Sequence, residues 1–159
     1  MAFLSIVVAF AARALLVMLF LPFSALDKVL NFRAAIGQAD EATHNRLLAA
    51  VLTLAGLCVE VCMSLAILTG IADRMAALVL AAYCGVTALL WKQFWKAPDF
   101  RLQGASRGRD TFWDFLKNLA LAGGFLVLAF GASSTGLQAF LTHPLASSHP
   151  YALSEKADG

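Results

Sequence analysis

The apolar stretch from Leu47 to Gly70 constrains the fold of this chain more than any other segment. It is long enough to cross a bilayer, since about 20 apolar residues rising about 1.5 Å each span the hydrocarbon core. One carboxylate, Glu60, lies in the middle of the stretch. A charge at that depth is costly, so we expect Glu60 to face the interior of a group of helices.

The composition indicates a membrane protein. Of 159 residues, 60% are hydrophobic and 14% are charged, against about 45–50% and about 25% in soluble domains. A soluble core of one domain cannot bury so much apolar surface, whereas a multi-span protein exposes the excess to lipid. The formal charge of +2 is too small to indicate nucleic acid, so we expect no nucleic-acid partner.

Hydropathy predicts an all-α integral membrane protein, a four-transmembrane-helix antiparallel bundle with spans at residues 2–22, 47–70, 75–91 and 113–130. Arg13 interrupts the first run and no basic region precedes it, so we expect an uncleaved signal-anchor helix. The first loop contains a short interfacial helix near residues 26–32, which we expect to end by Gly37. Residues 1–131 form the transmembrane domain, and residues 132–159 form a polar, partly flexible tail with a short turn of helix at 137–141.

Basic residues predict the orientation in the membrane. The first and third loops hold eight of them, and the opposite side holds only Arg74 and Lys156; the eight are Lys28, Arg33, Arg46, Lys92, Lys96, Arg101, Arg107 and Arg109. The positive-inside rule therefore places loops 1 and 3 in the cytoplasm and both termini outside.

Several segments resemble the DoxX family of membrane proteins over most of residues 10–131. They are Arg13-Ala-Leu-Leu, FLPFSALDKVLNF with Lys28, Glu60 followed by LTGIADRMAAL, and FWDFLKNLALAGGFLVLAFG. The resemblance implies a four-helix membrane bundle. We expect it in a bacterial inner membrane, where the charge distribution would place the termini in the periplasm. The resemblance also implies a link to quinone-coupled sulfur oxidation or to membrane complexes that handle oxidative stress.

A buried charge pair between Arg13 and Glu60 is the first candidate site. Each lies about ten residues, or about 15 Å, from the same outer face on helices that run in opposite directions. We therefore expect the guanidinium to donate to the carboxylate. Such a pair either fixes the register of the helices or forms a proton or ligand site.

A second candidate site lies at the predicted cytoplasmic boundary. Its members are aromatic and polar residues at one depth: Asp27, Lys28, Trp91, Gln93, Trp113, Asp114 and Lys117. Aromatic walls with a few polar groups suit the head group of a quinone or a lipid. The alternative is an anchoring belt with snorkelling lysines.

The cysteines favour packing over chemistry. Cys58 and Cys62 are one helical turn apart and Cys84 lies at a similar depth, which would suit a soft metal. Buried cysteines more commonly act as small apolar residues, so we expect no metal site. The sequence contains no catalytic motif, and no histidine lies within a predicted span. We therefore expect no catalytic residue and no covalently bound cofactor. Quinone is the candidate ligand.

These observations leave three functions open. The first is a quinone-linked subunit of a redox complex whose redox centre is supplied by a partner. The second is a structural or assembly subunit of a larger membrane complex, and the third is a small transporter that uses the buried charges. We expect membrane lipids and another membrane or peripheral subunit as partners.

Overall fold

The computed structural model describes residues 2–131 and 134–152, and every regular element in them is a helix. The helices are α1 (Ala2–Val17), α2 (Ala25–Leu30), α3 (Phe32–Thr43), α4 (Arg46–Thr69), α5 (Asp73–Trp91), α6 (Arg107–Phe130) and α7 (Ser134–Thr142). A π-helical segment, Leu19–Ser24, joins α1 to α2, and a 3₁₀ turn, Phe94–Lys96, follows α5.

The long helices identify a multi-pass membrane protein. Within the described residues α4, α5 and α6 are each long and apolar enough to cross a bilayer. A fourth crossing is present if α1 and the helix beyond it form one broken span, which bends by 46°. The described residues therefore hold three candidate spans, or four if the bent pair counts as one span.

The bend between α1 and α2 falls in the segment from Met18 to Ser24, which contains Pro22. Proline lacks the N–H that a helix needs and clashes with the preceding turn. Leu21 accordingly leaves helical geometry, with φ −88° and ψ 78°. The chain does not stop at Pro22 as a simple span would, because α2 continues to Leu30 in a new direction.

The first loop is more helical than predicted. The expected surface helix corresponds to α2 and the start of α3, but α3 continues through Gly37 to Thr43, so the predicted stop at Gly37 is wrong. A Cβ on Gly37 would meet nothing within 4 Å in the described structure, so this position is simply an exposed helical glycine. His44, in the left-handed region at φ 50°, ends the helix, and the Asn45 side chain then caps α4.

Small residues let α5 pack at the centre of the molecule. Ala77, Leu80, Cys84 and Ala88 are fully buried. They recur at the spacing of one helical face, so neighbouring helices approach closely there. Phe125 of α6 and Ile67 of α4 complete this core.

The two ends of the molecule differ. One end, here called the α3 end, carries α3 and the loop after α5. The opposite end, here called the α7 end, carries the α4–α5 turn and α7. The predicted turn at 137–141 is part of α7, and residues 143–152 fold back over the α4–α5 turn. Gly70 has φ +76°, and a Cβ there would lie 2.9 Å from Cγ of Pro150. The rest of the predicted flexible tail, residues 132–133 and 153–159, lies outside the described residues.

Candidate ligand-binding cavity

Glu60 is the centre of a buried polar group. It is 2% exposed, and its Oε1 atom accepts from Lys28 Nζ, from Ser24 Oγ at 3.1 Å and from the Tyr83 hydroxyl at 2.8 Å. Lys28 also donates to Ser24 Oγ and to the Tyr83 hydroxyl, both at 3.2 Å. These four residues, here called the inner cluster, join α2, α4, α5 and the π-helical segment.

Local sequence explains how the inner cluster assembles. Ser24 and Lys28 are one helical turn apart and follow the bend at Pro22, which directs both side chains to α4. Gly56 lies one turn before Glu60, and a Cβ there would be 3.1 Å from the Tyr83 hydroxyl. The missing side chain therefore gives the tyrosine room to reach the carboxylate.

The Glu60 carboxylate is asymmetric. Oε1 has three donors, whereas Oε2 is buried and finds no hydrogen-bond partner in the described part of the chain. Ser64 Oγ, one turn further along α4, is likewise buried and unpartnered among the described residues. Buried polar atoms normally have partners, so an unpaired carboxylate oxygen indicates a position for a proton or another donor.

The predicted pair between Arg13 and Glu60 is wrong. Both residues are buried, but Arg13 Nη2 donates to Asp73 Oδ2 at 2.9 Å and to Ser148 Oγ at 2.9 Å. Ser148 also donates to Asp73 through its hydroxyl and through its backbone N–H, the latter at 2.9 Å. The described chain thus has two buried ion pairs where one was predicted.

A difference in depth separates the two pairs. Asp73 begins α5 just beyond the end of α4, so Arg13 is level with that end. Glu60 lies nine residues, or about 14 Å, before the end of α4. The prediction had placed Phe3 and Gly70 at one level, whereas Arg13 itself lies near the level of Gly70.

A cavity of about 520 Å³ opens beside the inner cluster. From Glu60 it extends towards the α3 end, along Gly56 and Thr53 of α4 and along Thr87 and Trp91 of α5. Helices α3 and α6 close its sides, through residues such as Ala39 and Leu121. Its volume and its largely apolar wall are typical of sites that bind small organic ligands.

Part of the predicted head-group site lines this cavity. Lys28, Trp91, Asp114 and Lys117 do so. At the mouth, Asp114 pairs with Lys92 at 3.2 Å and with Lys117 at 3.3 Å. That these residues bind a ligand stays a prediction.

The other three predicted residues lie outside the cavity lining in the described structure. Asp27 accepts from Asn31 Nδ2 at 2.8 Å, and Gln93 donates to the Leu89 carbonyl at 2.9 Å. Trp113 is 46% exposed and packs against Phe112, with ring centroids 5.6 Å apart. Of these three residues only Trp113, an exposed aromatic side chain, is of the type found in an anchoring belt.

Ser24 and Tyr83 were not among the site residues predicted from the sequence. A tyrosine within the apolar run 75–91 and a serine one turn before a lysine were visible signals. Buried tyrosine hydroxyls usually have a hydrogen-bond partner, which would have directed attention to a nearby carboxylate.

The three cysteines do not meet. Cys58 and Cys62 are exposed on the outer side of α4, whereas Cys84 is buried in the core. Among the described residues, no group of three or more histidine, cysteine or acidic side chains is arranged to hold a metal.

Comparison with known proteins supports the resemblance seen in the sequence. The family model DoxX matches residues 8–93, which is more than half of the chain and includes the whole inner cluster. No curated protein and no solved structure matches the chain. On the strength of the family match, this chain is a member of the DoxX family.

Proposed function

We propose that this protein is a small subunit of a quinone-linked redox complex in a bacterial inner membrane, and that the cavity holds the quinone head group. The observation that carries the proposal is the inner cluster, a set of charged and hydroxyl groups at the closed end of a largely apolar cavity of about 520 Å³. Family membership supports it, because DoxX-like proteins are linked to quinone-coupled sulfur oxidation and to oxidative-stress complexes.

The side chains around the cavity fit such a head group. Lys28, whose side chain is 20% exposed, is the charged donor of the inner cluster and would suit a quinone carbonyl that enters from the α3 end. Glu60 lines the same cavity, and its carboxylate is an acceptor suited to a hydroxyl donor. Phe20 and Trp91 supply aromatic surface for the ring.

A bound quinone supplies two-electron chemistry, and we assign the other redox centre to a partner subunit. The chain's own residues would bind and orient the head group and exclude water on the side of the inner cluster that faces away from the cavity. Phe20, 4% exposed, and the buried core beneath it support this, since a low-polarity setting strengthens the hydrogen bonds of the cluster.

We further propose the finer membrane arrangement. The bent pair α1–α2 acts as one broken span, giving a four-helix antiparallel bundle, and α3 lies at the interface. The α3 end faces the cytoplasm and both termini lie in the periplasm, as the excess of basic residues in the first and third loops supports.

A structural or assembly subunit is the second candidate. The observation in its favour is the outer face of α6, where Leu119, Leu126 and Val127 are exposed and a Cβ on Gly123 would meet nothing within 4 Å in the described structure. Small and apolar residues of this kind also suit contact with a helix of another membrane subunit.

Quinone content after purification in mild detergent tests the proposal. We expect the wild-type protein to retain quinone, measured per chain by chromatography of a solvent extract. Lys28→Ala should bind quinone about tenfold or more weakly and so retain less of it, since a hydrogen bond to a charged group contributes about 1.5–3 kcal/mol. Asp27→Asn is the matched control, because Asp27 precedes Lys28 but bonds to Asn31.

Two results would contradict the proposal. One is equal quinone content in wild type, Lys28→Ala and Asp27→Asn. The other is a stoichiometric protein partner with no quinone in the purified complex, which would establish the assembly function instead.

A further inference from the structure

The inner cluster is a set of ionisable groups within the membrane. Lys28 of α2, Glu60 of α4 and Tyr83 of α5 are its ionisable members, and Ser24 at the end of the π-helical segment donates a hydrogen bond to Glu60. Ionisable side chains inside a bilayer are costly and usually mark a pathway for an ion, a proton or a ligand.

Polar side chains line the route from the α3 end. Beyond the inner cluster the cavity passes Thr53 and Thr87, and then Asn118, Asp114 and Lys117 at its mouth. A volume of about 520 Å³ has room for about seventeen waters at about 30 Å³ each. The hydroxyl, amide and charged groups supply the polar partners that such waters need.

The route from the α7 end is closed. Val17, Ile67, Leu80 and Phe125 form a layer beyond Glu60 in which each is at most 2% exposed. Beneath this layer, the Arg13–Asp73 pair is covered by Ser148.

A second cavity beside α1, of about 280 Å³, offers no polar route from that side. Its wall consists of apolar residues such as Phe10, Leu15 and Leu68. Water and protons arriving at the α7 end therefore meet apolar side chains or a filled ion pair before they reach Glu60.

We infer that the inner cluster is a proton-exchange site with access from the α3 end only. Glu60 is 2% exposed and Lys28 is the more open partner, so exchange passes through the lysine. Lys28 gives one proton to the Glu60 carboxylate, which becomes a carboxylic acid, and the neutral amine takes a proton from hydronium in the cavity, which becomes water. The reverse sequence returns one proton to the same side.

The inference deepens the proposed function without depending on it. If the cavity binds a quinol, a proton accepted by the cluster leaves towards the α3 end. The access itself requires only the cavity and the closed layer, so it is testable on vesicles from which quinone has been extracted.

Cysteine accessibility in such vesicles tests the inference. The background is the full chain with Cys58→Ser, Cys62→Ser and Cys84→Ala, in right-side-out and inside-out vesicles treated with a membrane-impermeant methanethiosulfonate. Thr53→Cys and Thr87→Cys probe the cavity, and Ser64→Cys probes the closed layer on α4. Gln103→Cys, in the exposed loop after α5, identifies the side of the α3 end.

We expect Thr53→Cys and Thr87→Cys to be labelled when the reagent is on the same side as Gln103→Cys. We expect neither to be labelled when the reagent is on the opposite side. Ser64→Cys should be unlabelled from both sides. Labelling of a cavity cysteine from the α7 side, labelling of Ser64→Cys from that side, or no labelling of either cavity cysteine would overturn one-sided access. All three replacements are close in size to the native side chain, and folded yield is measured for each.

A second measurement addresses the proton itself. Infrared difference spectra between two pH values applied at the α3 side should show a carboxylic-acid band that disappears in Glu60→Gln and persists in Asp114→Asn. A spectrum unchanged by Glu60→Gln would overturn proton exchange at this residue. If the protein shows one-sided labelling and this band but never binds quinone, the proposed function is contradicted and this inference is supported.

Discussion

Gly56 and Tyr83 meet where the cavity closes, with the position of a Cβ on the glycine 3.1 Å from the tyrosine hydroxyl. That hydroxyl donates to Glu60 at 2.8 Å and accepts from Lys28 at 3.2 Å. The absence of one methyl group on α4 therefore allows a hydrogen bond from α5 to reach the buried carboxylate.

Replacing Gly56 with alanine should displace the Tyr83 hydroxyl and weaken the inner cluster. We expect the free energy of unfolding to fall by about 1 kcal/mol relative to Gly85→Ala, which is about the value of one hydrogen bond. Gly85→Ala is the control, because its added Cβ would meet nothing within 4 Å in the described structure. In a Tyr83→Phe background the difference should vanish, and its persistence in thermal melts would show that the hydroxyl is not the cause.

Removing the charge of Glu60 alone should destabilise the protein strongly. Glu60→Gln leaves the partly buried Lys28 ammonium without its counter-ion, and losing one partner of a buried pair costs about 3–5 kcal/mol. Lys28→Met combined with Glu60→Gln should cost clearly less than the sum of the single changes, with a coupling of about 0.5–3 kcal/mol in denaturant titrations. The losses of stability caused by Arg13→Gln and Glu60→Gln should be close to additive in the double variant. Strong coupling between them would show that Arg13 and Glu60 interact after all.

Ser148 should hold residues 143–152 against the α4–α5 turn. Ser148→Ala removes the hydroxyl that joins Asp73 to Arg13, which leaves buried polar atoms short of a partner at about 1–3 kcal/mol. We expect faster proteolysis and faster amide exchange in this segment, with little change in α6. Thr142→Ala is the control, since that hydroxyl bonds only within α7 among the described residues, and equal effects of the two changes would contradict the assigned role.

Gly70 should tolerate alanine less well than Gly104. Both have positive φ, at +76° and +78°, so each substitution bears a backbone strain of about 1 kcal/mol. Only at Gly70 would the new Cβ also collide, 2.9 Å from Pro150, whereas the nearest atoms at Gly104 are 3.9 Å away. Thermal melts should therefore rank Gly70→Ala as the less stable variant, and the reverse order would mean that Pro150 moves aside freely.

The proposed topology predicts that a reporter fused after Gly159 is exported. A fusion active only in the cytoplasm should be silent, and one active only in the periplasm should give signal, because the basic residues hold the first and third loops inside. Moving the fusion to the loop after α5, at Gln103, should reverse both results. A cytoplasmic signal from the C-terminal fusion would mean that the orientation in the membrane is the opposite of the proposed one.

The sequence by itself determined the class of protein and most of the helical segments. The predicted spans 47–70 and 75–91 agree with α4 at Arg46–Thr69 and α5 at Asp73–Trp91 to within two residues. Long apolar runs bounded by polar residues leave little choice in lipid, where every backbone group must bond within its own helix. The ordered set of short segments also identified the family that the comparison confirms.

The extent of α6 illustrates where a hydropathy pattern stops being informative. The predicted span began at residue 113, whereas the helix begins at Arg107. Ser106 caps it, and Asp99 accepts from the backbone N–H groups of Arg107 and Gly108. This polar first turn is stabilised by hydrogen bonds from a loop and not by an apolar pattern.

Only the tertiary structure decided which charges meet. The surroundings of a membrane helix are as apolar as its buried face, so hydropathy does not say which side of α1 contacts α4. Relative depth depends on the bend at Pro22 and on the packing of Leu16 against Gly124, which together place Arg13 beside Asp73 and Lys28 beside Glu60. The sequence contained all four charges, but their pairing follows from the offset between helices, which packing sets.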